Sequence, residues 1–141
     1  MKLYHYTIAD RLVKILVDGY LKLTPENHPL KENERKAVWF TKSDEWDKTA
    51  FYGYSDIVLD NAGRIRITVN AETILAVPAQ AEKQYLGDWE NLILSALEVG
   101  VNYSDWFITF KEVPIKLVEK IELWRNNQWV ELPLNIMNGK S

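Results

Sequence analysis

The segment Tyr4-His5-Tyr6-Thr7 brings an imidazole, two phenols and a hydroxyl into four residues near the start of the chain. A neutral imidazole offers one donor and one acceptor, so His5 could hydrogen-bond a ligand hydroxyl. A half-buried structural histidine is the competing reading. In an extended strand Leu3, His5 and Thr7 share one face, and Tyr4 and Tyr6 share the other. In Val38-Trp39-Phe40-Thr41-Lys42-Ser43, Val38 and Phe40 read as core. Trp39 faces the opposite way, where its ring could stack on a planar ligand or simply cover a loop. Asp105, in Ser104-Asp105-Trp106-Phe107-Ile108, is either a turn acid or a carboxylate aimed into a cleft. Arg64 and Arg66, two residues apart on one strand face, could hold a diphosphate or face solvent.

Other chemistries are excluded or disfavoured by composition. With no cysteine there is no disulfide, thiol nucleophile or thiolate-bound metal. His5 and His28 are the only histidines, so no histidine-based metal site is expected, and no Ser-His-Asp arrangement can be argued. No glycine-rich phosphate loop is present. A net charge of −3 lacks the basic footprint of a duplex-nucleic-acid binder. No apolar run approaches the ~20 residues of a membrane span, and no secretory apolar region follows Met1. A cytoplasmic protein with no membrane partner is expected.

The elements that must position these groups follow from periodicity. The 141 residues suit one domain, spanning 1–141. Residues 2–7 read as a strand, with Thr7 as cap of a helix carrying Leu12, Ile15 and Leu16 and ending at Gly19. Residues 21–24 read as extended and 25–36 as a polar loop. Residues 37–41 form a second strand, and Ser43 or Asp44 is expected to cap a short helix reaching Ala50. Ile65, Ile67 and Val69 alternate with Arg64, Arg66 and Thr68 in a half-buried strand. Asp88 is expected to cap a helix closed by Gly100. Residues 104–110 alternate again, a turn or short helical segment lies near 114–118, and 120–124 with 128–132 flank a hairpin turn. The fold class is α+β, with short helices on a mostly antiparallel sheet.

Taken in chain order, these segments resemble the ADP-ribosyltransferase superfamily, in its poly-ADP-ribose polymerase and diphtheria-toxin-like branch. That branch carries a His–Tyr–Glu set on three strands. Leu3-Tyr4-His5-Tyr6-Thr7, with the helix closing in Asp18-Gly19-Tyr20-Leu21, looks like its first motif. Val38 to Ser43 is similar to the second, with Trp39 where the family usually has Tyr. A second tyrosine usually follows, and Phe51 and Tyr52 lie near its place. Ser104 to Ile108, followed by Val113-Pro114-Ile115, looks like the third motif, with Asp105 in place of the usual Glu.

The resemblance implies a split-sheet fold and NAD as substrate, with no metal. His5, Trp39 and Asp105 would form the catalytic set. His5, Tyr6, Thr7, Trp39, Thr41, Tyr52, Arg64 and Arg66 would hold NAD. His5 would bond an adenosine-side ribose hydroxyl, with Thr7 or nearby backbone on the nicotinamide amide. Trp39 and Tyr52 would sandwich the nicotinamide ring. Asp105 would steady the nicotinamide ribose and the positive charge that grows as the glycosidic bond breaks. The implied activity is transfer of ADP-ribose to a protein or nucleic-acid acceptor, in a toxin, phage or defence setting. The alternatives are a catalytically degenerate nucleotide- or partner-binding module, and an RNA 2′-phosphotransferase leaning on Arg11, Arg35, Arg64 and Arg66.

Overall fold

The alternation of apolar side chains along the first and fourth strands is what builds the central layer. In the computed structural model, which describes residues 1–25, 29–51 and 53–133, the elements run β1 (Lys2–Ile8), α1 (Ala9–Asp18), β2 (Tyr20–Leu21), β3 (Val38–Thr41), α2 (Asp56–Ala62), β4 (Arg64–Asn70), β5 (Val77–Pro78), α3 (Trp89–Val99), β6 (Trp106–Thr109), β7 (Val113–Pro114), β8 (Val118–Arg125) and β9 (Gln128–Glu131). Short 3-10 segments cover Ala79–Tyr85, Tyr103–Asp105 and Ile115–Leu117. The fold is α+β.

A seven-stranded sheet has the order β5-β6-β3-β1-β4-β8-β9, and β2 pairs separately with β7. Each of these pairings is antiparallel. Register places Leu3, Ile67, Val69 and Ile121 on one face, where they pack with Leu12 and Ile15 of α1. The helix lies there because Leu12 and Ile15 fall three residues apart on one stripe. A second cluster, Ala37, Ala79, Leu86, Ala96, Trp106 and Ile108, covers the opposite face at the β3–β6 end. That half of the sheet is therefore covered on both sides, and Trp106 to Thr109 are all buried. Strands covered on both faces read as continuous apolar runs.

The ladder between β1 and β3 is short. β1 meets β4 at seven consecutive positions but meets β3 at one, Tyr4 opposite Thr41. Beyond that pair the two strands separate, which splits the sheet into a β5-β6-β3 part and a β1-β4-β8-β9 part.

Most boundaries agree with the periodicity. Gly19 closes α1 with φ 87°, and Gly100 closes α3 with φ 76°. The Asp88 carboxylate accepts from the Asn91 amide, as a helix cap should. Asn126 and Asn127, both with φ above 50°, make the two-residue turn between β8 and β9. Two expectations are corrected. Thr7 is not a cap: β1 runs on to Ile8, Thr7 pairs with Ile65 and is buried, and α1 has no side-chain cap. Residues 43–50 form no helix but a run of bends and turns. There the Asp47 side chain captures the Thr49 amide at 2.8 Å, a local bond that competes with helix. A helix does form at α2, where the Ser55 hydroxyl accepts from Val58 N and Gly63 ends the run.

Candidate functional site

The split between β1 and β3 opens a cleft of about 760 Å³. Its walls carry residues from both sheet faces, because separated strands expose their edges. β1 supplies Tyr4, His5, Tyr6 and Thr7; β3 supplies Trp39, Phe40 and Thr41; β6 supplies Trp106. Helix α1 adds Arg11, Lys14, Ile15 and Asp18, and the turn after β3 adds Asp47, Thr49, Ala50 and Phe51.

His5 and Trp39 meet across the split. His5 Nδ1 lies 2.8 Å from the Trp39 carbonyl oxygen. A carbonyl can only accept, so Nδ1 carries the proton and donates. Nε2 is then left with a lone pair, which makes it an acceptor for a ligand hydroxyl or N–H. Burial holds the His5 pKa below its ordinary 6.5; the Trp39 bond opposes this and the Arg11 charge adds to it. His5 is therefore neutral at physiological pH. Its ring meets Phe40 edge-on at 5.7 Å.

The aromatic wall is interlocked. Trp39 and Trp106 are perpendicular with centroids 5.9 Å apart, and Trp106 in turn packs on Trp89 at 6.1 Å. The Trp106 indole donates to Asp47 Oδ2 at 2.9 Å. Asp47 Oδ1 also accepts from the Thr49 amide and hydroxyl. Tyr6 donates its hydroxyl to the Ser43 carbonyl at 2.7 Å, and burial raises its pKa well above the ordinary value. Thr41 Oγ1 accepts from the Ser43 amide. Both thus fix the turn after β3 as well as lining the cleft.

No family model, no curated protein and no solved structure matches the chain.

Of the residues singled out in the sequence, His5, Tyr6, Thr7, Trp39 and Thr41 come together in this cleft. Tyr52 lies outside the described residues. Asp105 is not among the lining residues. It closes the 3-10 turn before β6, its carbonyl accepts from the Lys42 amide at 3.0 Å, and its neighbour Trp106 presents a ring to the cleft instead. Arg64 and Arg66 do not line the cleft either. Arg64 is held by Asp60 at 2.9 Å and Asp56 at 3.2 Å. Arg66 binds buried Glu122 at 2.9 Å and the Asp44 carbonyl, between the rings of Tyr4 and Trp129. They lie away from the split because β4 flanks β1 on the side opposite β3, where Arg66 is in register with Tyr6 and Glu122. Arg35 sits over Phe110 at 3.8 Å, also outside the cleft. The four arginines thus share no pocket.

Two further cleft residues matter here: Arg11, which the sequence named only for the phosphotransferase alternative, and Asp47, which it did not name. Arg11, four residues beyond Thr7 on α1, lies over the Phe51 ring at 4.9 Å. Asp47 is 8% exposed at the base of the aromatic wall. The Asp-x-Thr spacing signals the local turn, but its bond to Trp106, 59 residues away, leaves no local trace. Among the described residues no group of three or more His, Cys, Asp or Glu could hold a metal, and no helix is long and apolar enough to cross a membrane.

Proposed function

We propose that this chain is an ADP-ribosyltransferase-like domain that binds NAD in the cleft between β1 and β3. The observation that carries the reading is the hydrogen bond from His5 to the Trp39 carbonyl across a split in the sheet. It puts an acceptor nitrogen and an aromatic ring, the first two expected groups, in one cavity on neighbouring strands. A volume near 760 Å³ falls in the range that buries a dinucleotide-sized ligand. His5 Nε2 would accept from a ribose hydroxyl. Thr7 would hold the carboxamide, and Trp39 would stack on the ring. Arg11 is suited to a diphosphate, which prefers planar bidentate donors.

Transfer of ADP-ribose to a protein or nucleic-acid acceptor is the full activity this reading carries. The position of Asp105 outside the cleft wall favours a second reading, in which the domain binds NAD or a related nucleotide without turnover. Isothermal titration with NAD tests the first claim. Wild type is expected to bind and His5→Ala to lose at least about tenfold in affinity, the scale of one lost hydrogen bond to a ligand. Folded wild type that takes up no NAD would end the proposal. An assay for released nicotinamide separates the two readings.

A further inference from the structure

A buried carboxylate is costly unless something compensates its charge. Asp47 is 8% exposed and lines the cleft. It accepts from the Trp106 indole and from the amide and hydroxyl of Thr49. These are neutral donors. Among the described residues no Lys, Arg or His forms a salt bridge with it. The other acid of the cleft wall, Asp18, is paired with Lys22 at 2.9 Å. Among the described residues the cleft therefore holds one buried carboxylate that is fixed by neutral hydrogen-bond donors and forms no salt bridge.

The rings beside it are placed to complete such a charge. Trp106 is gripped by Asp47 itself, and Trp39 stands perpendicular to Trp106. Indole faces attract cations through their quadrupole, and do so more strongly where water is excluded. Arg11 already occupies the Phe51 ring on the α1 side, and Trp46 stacks on Phe51, so that ring is taken. At the other end Trp39 is half-buried and lines the cleft, and the buried Trp106 ring braces it edge to face and holds Asp47.

We infer that Asp47 with Trp39 and Trp106 forms a slot selective for a planar cationic heteroaromatic ring, a pyridinium, over a neutral ring of the same shape. The inference deepens the NAD reading and rests on it for the choice of a pyridinium. It assigns the positive end of the ligand to the Asp47 side and leaves the anionic part for Arg11. Asp47 acts here on binding, by charge, with no bond made or broken.

The experiment compares N-methylnicotinamide cation with 3-methylbenzamide, which differ in ring charge and share their outline. Each is titrated by NMR into wild type, Asp47→Asn and Asp47→Glu. Wild type is expected to bind the cation about tenfold or more tightly than the neutral ring. Asp47→Asn should bind both equally, and Asp47→Glu should keep a preference for the cation. Equal binding by wild type, a preference that survives in Asp47→Asn, or binding of neither probe would overturn the inference. Should Asp47→Asn not fold, the two probes on wild type and Asp47→Glu decide it. NAD titration is scored separately. Cation selectivity without NAD binding would sink the dinucleotide reading and leave the slot standing. NAD binding without selectivity would do the reverse.

Discussion

His5 does two jobs that a pair of substitutions can separate. Its Nδ1–H holds the Trp39 carbonyl where β1 and β3 have a single ladder pair, and in the proposed reading its Nε2 accepts from a ribose hydroxyl of NAD. Replacing it with Ala orphans that carbonyl, which costs about 1–3 kcal/mol for a buried acceptor. Water entering the space the imidazole leaves can satisfy part of that acceptor, so the lower part of the range applies, about 1.5 kcal/mol. Losing the edge contact with Phe40 adds about 0.5 kcal/mol. At this chain length each kcal/mol moves the midpoint by roughly 2–4 °C, so His5→Ala should melt about 4–8 °C below wild type. Asn places its amide nitrogen near the position of Nδ1 and can still donate. His5→Asn should therefore keep most of the stability, within about 2 °C, yet lose NAD affinity as fully as His5→Ala, because it offers nothing where Nε2 stood. Calorimetric melting at pH 7.5 and NAD titration on the same samples make the comparison. If His5→Asn melts as low as His5→Ala, the bond to Trp39 is not what His5 contributes to stability.

The same histidine sets a pH dependence. Its folded pKa lies below the unfolded 6.5, so between those values the unfolded chain takes up a proton that the folded chain refuses. Its contribution is complete above pH 6.5 and is lost as pH falls through the lowered value; melts at pH 7.5 and 5.5 should show wild type losing more stability than His5→Asn, and parallel losses would contradict this. On the β8 side of β4, Glu122 is 4% exposed and its Oε1 accepts from Arg66 Nε at 2.9 Å, with Arg66 Nη2 also 2.9 Å away in an ion pair. Glu122→Ala leaves a largely buried guanidinium without its carboxylate and should cost about 3 kcal/mol in urea denaturation; a loss under about 0.5 kcal/mol would show that the pair is not desolvated as described.

What could be read from the sequence is what local chemistry dictates. β4 alternates because Ile65, Ile67 and Val69 face α1, and the hairpin turn is written in Asn126-Asn127, which tolerate positive φ. His5 and Trp39 could be paired because each sits on an apolar strand and β3 adjoins β1. Residues 43–50 misled, since Ser43 and Asp44 look like helix caps. The segment instead obeys Asp47, whose indole partner lies 59 residues away. Arg64 and Arg66 misled for a similar reason. Their spacing suits a diphosphate, but Asp60 and Glu122 claim them, and Glu122 is 56 residues distant in sequence. Asp105 was placed by motif order, which does not reveal that Trp106 would take the cleft side of that segment. The β2 pairing with β7, and the sheet's division at Tyr4–Thr41, depend on contacts no periodicity carries.

The central claim is that NAD sits in the split between β1 and β3. Indole N–H signals in an NMR titration test it most directly, because the six tryptophans report on different parts of the molecule. The account predicts saturable shifts at Trp39 and Trp106, which line the cleft, and none beyond background at Trp124 on the β8–β9 hairpin. Shifts confined to Trp124, or no saturable shift at Trp39 and Trp106, would contradict it.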